Sequence, residues 1–384
     1  MLHGIIHNIH RAFKTKEELK EIYLTTILNS IAIALVGIFI PVYLFQSAFY
    51  LNEVALFMIA FWITLGLFSL ITAKIVTIIG PKHTITLSIP FTIVHFILLV
   101  IINDIPSSIF YAIAVLGGIG ASLYWIPLNS EFIKSSDKIH EGEEIGHLLA
   151  LPRIAAIMAP VFGGIILVSF GFPTLFLIAI FFLIVCVLPL FITKDYKRSF
   201  HFTYSDMRFS LDKRLVFLLL VNGSVVMSDY LLWTLYIFIH FTDFILLGVA
   251  SSFAGVGVAI FTLFIGKLTD KYDRGTLLKI GAIAYAFVWF GRMFATTQFE
   301  ILTLSLLGGM FYTFIPILSF AMFCDVTRDK NILRNTVVRE LWLAVGRVLP
   351  IMFLLIIVPK FIVGFAVAGI LVALLVFIDP KKIK

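Results

Sequence analysis

Twelve apolar runs, most of them long enough to cross the hydrocarbon of a bilayer, decide what this chain can fold into. They lie at roughly 22–45, 51–76, 83–102, 107–132, 145–169, 173–192, 215–239, 245–267, 277–297, 299–323, 336–358 and 361–378. A helix needs about 20 mostly apolar residues to make that crossing. The runs are too long and too continuous for barrel strands of about ten alternating residues. In lipid a helix satisfies its own backbone groups, so the expected fold is an all-α bundle of twelve transmembrane helices. Composition excludes a soluble globule. Of 384 residues, 61% are hydrophobic and 13% charged, with mean hydropathy +1.08, against about 45–50% apolar and about 25% charged in soluble domains. Forty Phe residues exclude a disordered chain.

Lys and Arg placement orients the spans. With twelve crossings both termini share one side, and 26 of the 29 basic residues fall on that side or in its loops. Lys360 is on the other side, and Arg292 and Arg347 lie within runs. This bias predicts a plasma-membrane protein with both termini in the cytoplasm. It also accounts for the net charge of +7 without nucleic acid, because the basic residues form no continuous stripe. Cys186 lies in the sixth run and Cys324 at the end of the tenth, which excludes a disulfide framework and a CxxC metal site.

Residues 1–21 show no signal-peptide h-region. Leu2, Ile5, Ile6, Ile9 and Phe13 instead have helical spacing, as in a helix lying on the cytoplasmic surface. Thr15 and Glu18 have capping-box spacing ahead of the first run. His3, His7 and His10 share one face, but no acidic or Cys ligand joins them, so no metal is expected.

The chain repeats itself. AKIVTIIGPK at 73–82 aligns with GKLTDKYDRG at 266–275, IPLNS at 126–130 with IPILS at 315–319, LGG at 116–118 with LGG at 307–309, and Pro160 with Pro350. The offsets stay between 189 and 193, as duplication of six spans requires. Six is even, so both halves keep one orientation, related by an axis along the membrane normal. The expected division is a half at 22–192, a cytoplasmic linker at 193–214 and a half at 215–384.

At this point the sequence resembles the major facilitator superfamily. GKLTDKYDRG resembles that family's G-x-x-x-D-[RK]-x-G-[RK]-[RK] signature through Gly266, Asp270, Lys271 and Arg274. Asp273 stands where the family usually has Gly, and the first-half copy keeps only Gly80 and Lys82. Pro160, Gly163 and Gly164 resemble its Gly-Pro-x-x-Gly-Gly pattern. The resemblance implies two six-helix pseudo-repeats and a central cavity lined by the first, fourth, seventh and tenth helices. It implies a gate at the signature residues and hinges at Pro127, Pro160, Pro316 and Pro350. The cavity candidates on those helices are Asn29, Ser30, Tyr124, Trp125, Asn129, Tyr230, Trp233, Tyr236, Tyr312 and Ser319.

Charges within the runs need compensation, since each costs roughly 2.5–3.5 kcal/mol at the bilayer centre. Asp229 lies past the middle of the seventh run and Arg347 near the middle of the eleventh, so the two are expected to pair. Glu340, seven residues before Arg347 on the same helical face, is the competing partner. Arg292 reads as a snorkelling side chain at the outer end of the ninth run, and His95 as a structural hydrogen bonder.

No P-loop and no catalytic constellation is present, and the NGS sequon at 222–224 lies inside a run. No cofactor is expected. The reading is a monomeric secondary transporter in contact with membrane lipids, using a proton or solute gradient to move a lipophilic or amphiphilic organic molecule. The alternatives are a small organic anion as substrate, drawn by Arg347, and a non-transporting scaffold on the same fold.

Overall fold

The structure is a computed structural model. It describes residues 17–47, 49–104, 109–135, 151–192, 200–204, 211–269, 271–327, 331–357 and 360–378. The expected surface helix with Thr15 and His3, His7 and His10 lies outside these, as does Asp270. No strand occurs among the described residues.

Eight helical segments there are long and apolar enough to cross a membrane, by length and composition: Lys20–Gln46, Leu51–Ile79, Pro81–Val100, Phe110–Lys134, Leu151–Phe191, Lys213–Phe241, Phe244–Gly266 and Gln298–Thr327. The fifth of these has 41 residues, about twice what a bilayer accommodates. It breaks at Gly171, whose φ of 77° and ψ of 176° belong to a region essentially reserved for glycine, with Pro173 restarting the helix. The predicted fifth and sixth runs lie on either side of this turn. Helices Arg274–Arg292, Ile332–Ile357 and Phe361–Phe377 occupy the ninth, eleventh and twelfth runs. Each of the twelve predicted runs therefore holds helix, and the spans are numbered by those runs below.

Local signals set several starts. Asp212 caps the seventh span by accepting from the Arg214 amide at 2.8 Å, and Asp273 caps the ninth by accepting from the Thr276 amide at 3.1 Å. Thr297 and Glu300 form a capping box at the tenth.

The LGG pairs show the duplication in three dimensions. Gly118 and Gly309 let the fourth and tenth spans touch backbone on the second and eighth. A β-carbon on either would sit 2.5 Å from the Phe61 carbonyl or 2.0 Å from the Ala254 carbonyl. Phe61 and Ala254 are 193 residues apart, within the offsets of the sequence repeat. The preceding glycines make room for a basic side chain of the third span of each set, Gly117 for His95 and Gly308 for Arg292. His95 Nδ1 also lies 2.8 Å from the Ile113 carbonyl, the structural hydrogen bond expected of it.

The first six spans meet the last six along two seams. On one, the fifth and eighth spans touch through Gly164 against the Phe244 carbonyl and Gly248 against the Pro160 carbonyl. On the other, the second and eleventh pack through Gly66 and Ala344.

Candidate functional site

The seventh span is the most enclosed of the eight segments, with 67% of its apolar window buried. Its helix widens into a π turn over Ser228–Trp233, and Asp229 stands at the start of that turn. Such turns recur at functional sites because the extra residue re-aims side chains. Asp229 Oδ1 accepts from Arg292 Nη1 at 2.5 Å, and Asp229 Oδ2 accepts from the Tyr285 hydroxyl. The Asp229 side chain is 30% exposed and that of Arg292 only 2%. Arg292 is held between two indoles, with its guanidinium carbon 4.6 Å from the Trp233 ring and 4.3 Å from the Trp289 ring. Trp233 Nε1 donates to Ser305 Oγ at 3.0 Å, fixing the ring on which Arg292 lies.

This geometry corrects two expectations. Asp229 pairs with Arg292, not with Arg347, and Arg292 is buried within the bundle instead of snorkelling outward. The reason is rotational. Gly223 and Ser224 turn toward the eleventh span, where Ser224 Oγ donates to the Gly346 carbonyl at 2.8 Å. Asp229 follows Gly223 by six residues, about 240° around a regular helix. It therefore faces the ninth span.

Arg347 pairs with Glu340, the competing partner foreseen from the shared face, at 2.5 Å. Its guanidinium lies 4.4 Å from the ring of Trp62, on the second span, and Trp62 Nε1 donates to Met227 Sδ at 3.1 Å. Arg339 adds a second guanidinium, 3.9 Å from Glu340 and 4.8 Å from the Phe320 ring. The Nε groups of Arg292 and Arg347 have no hydrogen-bond partner among the described residues. Among the described residues, the Asp229 group is thus internal to the last six spans and the Glu340 group stands against the first six.

The remaining cavity candidates divide. Tyr230 bridges the two sets of spans, its hydroxyl donating to the Gly37 carbonyl at 2.9 Å. Tyr236 is buried, donating to the Ala295 carbonyl at 2.5 Å, and stacks on Trp233 with centroids 5.7 Å apart. Tyr312 packs edge-on against Tyr285 at 6.1 Å. Ser319 is buried and accepts from Asn222 Nδ2 at 3.2 Å, which places the sequon's asparagine inside the bundle. Asn29, Tyr124 and Asn129 are buried, Ser30 is half-buried and Trp125 is 43% exposed. Among the described residues no hydrogen bond or ion pair joins these five to Asp229, Arg292 or Tyr285.

Of the gating residues, Lys82 pairs with Glu21 and Arg274 with Asp325 at 2.5 Å, both where spans end on the basic face. Gly80, at φ 89°, forms the turn between the second and third spans. Gly266 ends the eighth, and Lys271 is exposed. Pro127 and Pro350 lie inside helices, Pro160 lies in the seam against Gly248, and Pro316 is in the tenth span. The sequence reading missed Tyr285 and the role of Arg292. An arginine within an apolar run was the available signal for the second.

The comparisons with known proteins agree with this architecture. The sequence model of the Major Facilitator Superfamily matches residues 22–203. No curated protein sequence matches the chain. Among solved structures, a variant of the Escherichia coli fucose:proton symporter FucP aligns at TM-score 0.68 and 13% identity, covering 93% of this chain and 97% of that one. The human organic anion transporter MFSD10 aligns at 0.69 and 13%, covering 94% and 98%. FucP in an outward conformation aligns at 0.71 and 14%, covering 95% and 99%. At such identities these likenesses speak for the fold. The class is that of integral membrane proteins with the major facilitator fold. By that fold and the match over residues 22–203, this chain is similar to the major facilitator superfamily, a family of transporters.

Proposed function

We propose that this chain is a secondary active transporter that moves a small organic solute by alternating access, with Asp229 as its proton-coupling group. One observation carries the reading: a half-open carboxylate in the most enclosed span, held by a fully buried arginine and a tyrosine hydroxyl. Ionisable groups in a membrane are expensive and mark ion or substrate pathways. Protonating Asp229 would release Arg292, which also lies on Trp233 at the other end of the π turn. Aromatic side chains around the pair, Trp233, Tyr285 and Tyr312, favour a lipophilic or amphiphilic molecule. In this reading the linker 193–214 joins halves 22–192 and 215–384, which rock as a monomer with both termini in the cytoplasm. The named neighbours lend support, one being a proton symporter.

The second reading is a small organic anion, favoured by the unused Nε donor of Arg347 at the boundary between the two sets of spans, and by the organic anion transporter among the neighbours. Flux into proteoliposomes under an imposed pH gradient, with a library of amphiphilic and anionic solutes, tests both. Asp229→Asn is expected to abolish uphill accumulation and to retain downhill exchange. Uphill accumulation by this variant overturns the coupling role. Absence of flux for every solute, in protein shown to be folded, favours the scaffold.

Single cysteines test the orientation. In the loops 46–52, 103–106 and 241–244 they are expected to label from outside, and in 194–212 from inside. Labelling of both sets from one face would overturn it.

A further inference from the structure

The basic face holds a feature that the transport reading does not use. Residues 200–204 of the central linker fold back between the two sets of spans. Phe200 and Phe202 are buried there at 8% and 4% exposure. They complete a small apolar cluster with Ala73 and Val76 of the second span, Ile126 of the fourth, and Leu333 and Val337 of the eleventh. The second and fourth spans belong to the first set and the eleventh to the second, so the two rings straddle the boundary. This cluster is separate from the main core. Two polar contacts fasten it. Asn331 Nδ2 donates to the His201 carbonyl at 2.9 Å, and the Lys134 ammonium lies 4.2 Å from the centre of the Phe200 ring. Tyr204 packs edge-on against Phe202 at 5.3 Å.

We infer that residues 200–204 are an inner plug, and that Phe200 and Phe202 must leave this cluster before the basic face of the bundle opens. The physical ground is that the rings bury their surface against both sets of spans at once. Separating the second and eleventh spans at this level strips cover from both rings, so opening costs the burial of two phenylalanines unless the linker moves. Asn331 serves as the fastening point. Its Oδ1 accepts from the Arg334 amide at 3.1 Å, and its Nδ2 holds the plug. The linker is thereby a part of the gate as well as a tether. The gating consequence rests on the alternating-access reading, but the plug itself is testable without a substrate.

The probe is the alkylation rate of a single cysteine by fluorescein-5-maleimide in purified full-length protein. Val337→Cys is introduced with Cys186→Ser and Cys324→Ser, since Val337 is wholly covered in the cluster. Adding Phe200→Ser and Phe202→Ser is expected to raise the rate at least tenfold. Adding Phe200→Leu and Phe202→Leu, which keep the apolar cover, is expected to leave it within about twofold. Asn331→Asp removes the donor to His201 and keeps the acceptor that caps the helix. It is expected to raise the rate about threefold to tenfold, the shift that one neutral hydrogen bond supports. This variant decides the matter should the double serine variant fail to fold. Rates unchanged by Asn331→Asp, or by the serine pair in folded protein, overturn the plug. Accelerated labelling in a protein that carries no solute would leave the plug standing and remove the transport reading.

Discussion

Arg292 is almost completely enclosed, and an enclosed guanidinium is tolerable only while its charge is met. Asp229 meets it, and removing one member of a buried pair typically costs about 3–5 kcal/mol, because the other is left uncompensated. Asp229→Ala is expected to destabilise by about that amount. The double variant Asp229→Ala with Arg292→Met is expected to recover more than half of the loss. Thermal unfolding in detergent, followed by tryptophan fluorescence, measures both. A double variant no more stable than the single one would make the arginine a packing element. Gly308 offers a gentler handle on the same pair. A methyl group there would sit 2.4 Å from Arg292 Nη2, a side-chain atom that has some freedom to shift. At Gly309 it would meet a backbone carbonyl at 2.0 Å. Gly309→Ala is therefore expected to lower the unfolding temperature more than Gly308→Ala does, and the opposite order would contradict the packing described for this pair.

At the scale of elements, helix existence was legible and helix irregularity was not. Every apolar run contains helix because length and hydropathy fix that choice in lipid. The turn at Gly171 lies where the predicted fifth and sixth runs part, and Gly171→Ala is expected to cost about 1–3 kcal/mol because its φ/ψ suits glycine alone. Chemical denaturation of the purified protein checks this, and a cost near zero would mean that the turn relaxes into another shape. The π turn at Ser228–Trp233 left no trace in the sequence, since one extra residue in a helix changes no hydropathy period. That turn, together with the glycine contacts of the seventh span, decides which way Asp229 points. Pairing of Arg347 with Glu340 was readable because both stand on one helix face. The partner of Asp229 stands on another helix, and only the packed bundle selects it. Phe200 and Phe202 were equally hidden, because two aromatics in a polar linker look like any loop residues until their surroundings are known.

Across the whole molecule, one of the two seams, that of the fifth and eighth spans, is backbone against backbone. Gly248→Val is expected to hold the fifth and eighth spans apart. It should then raise at least tenfold the maleimide labelling of Phe238→Cys, introduced with Cys186→Ser and Cys324→Ser, since Phe238 is buried beside Phe244 near the face opposite the basic one. An unchanged rate would place the opening elsewhere. The duplication was visible at this scale too, because glycines carrying close helix contacts kept their spacing while the signature around Asp270 did not. The seam at Gly164 and Gly248 has a mechanical corollary. Long side chains could slide and re-pack as two bodies part, giving slack over several ångströms. Carbonyls seated on glycines have no such slack, and a gap of about 0.5–1 Å already forfeits a quarter to a half of the dispersion attraction. Such a joint behaves as a detent, engaged or released, with little population between.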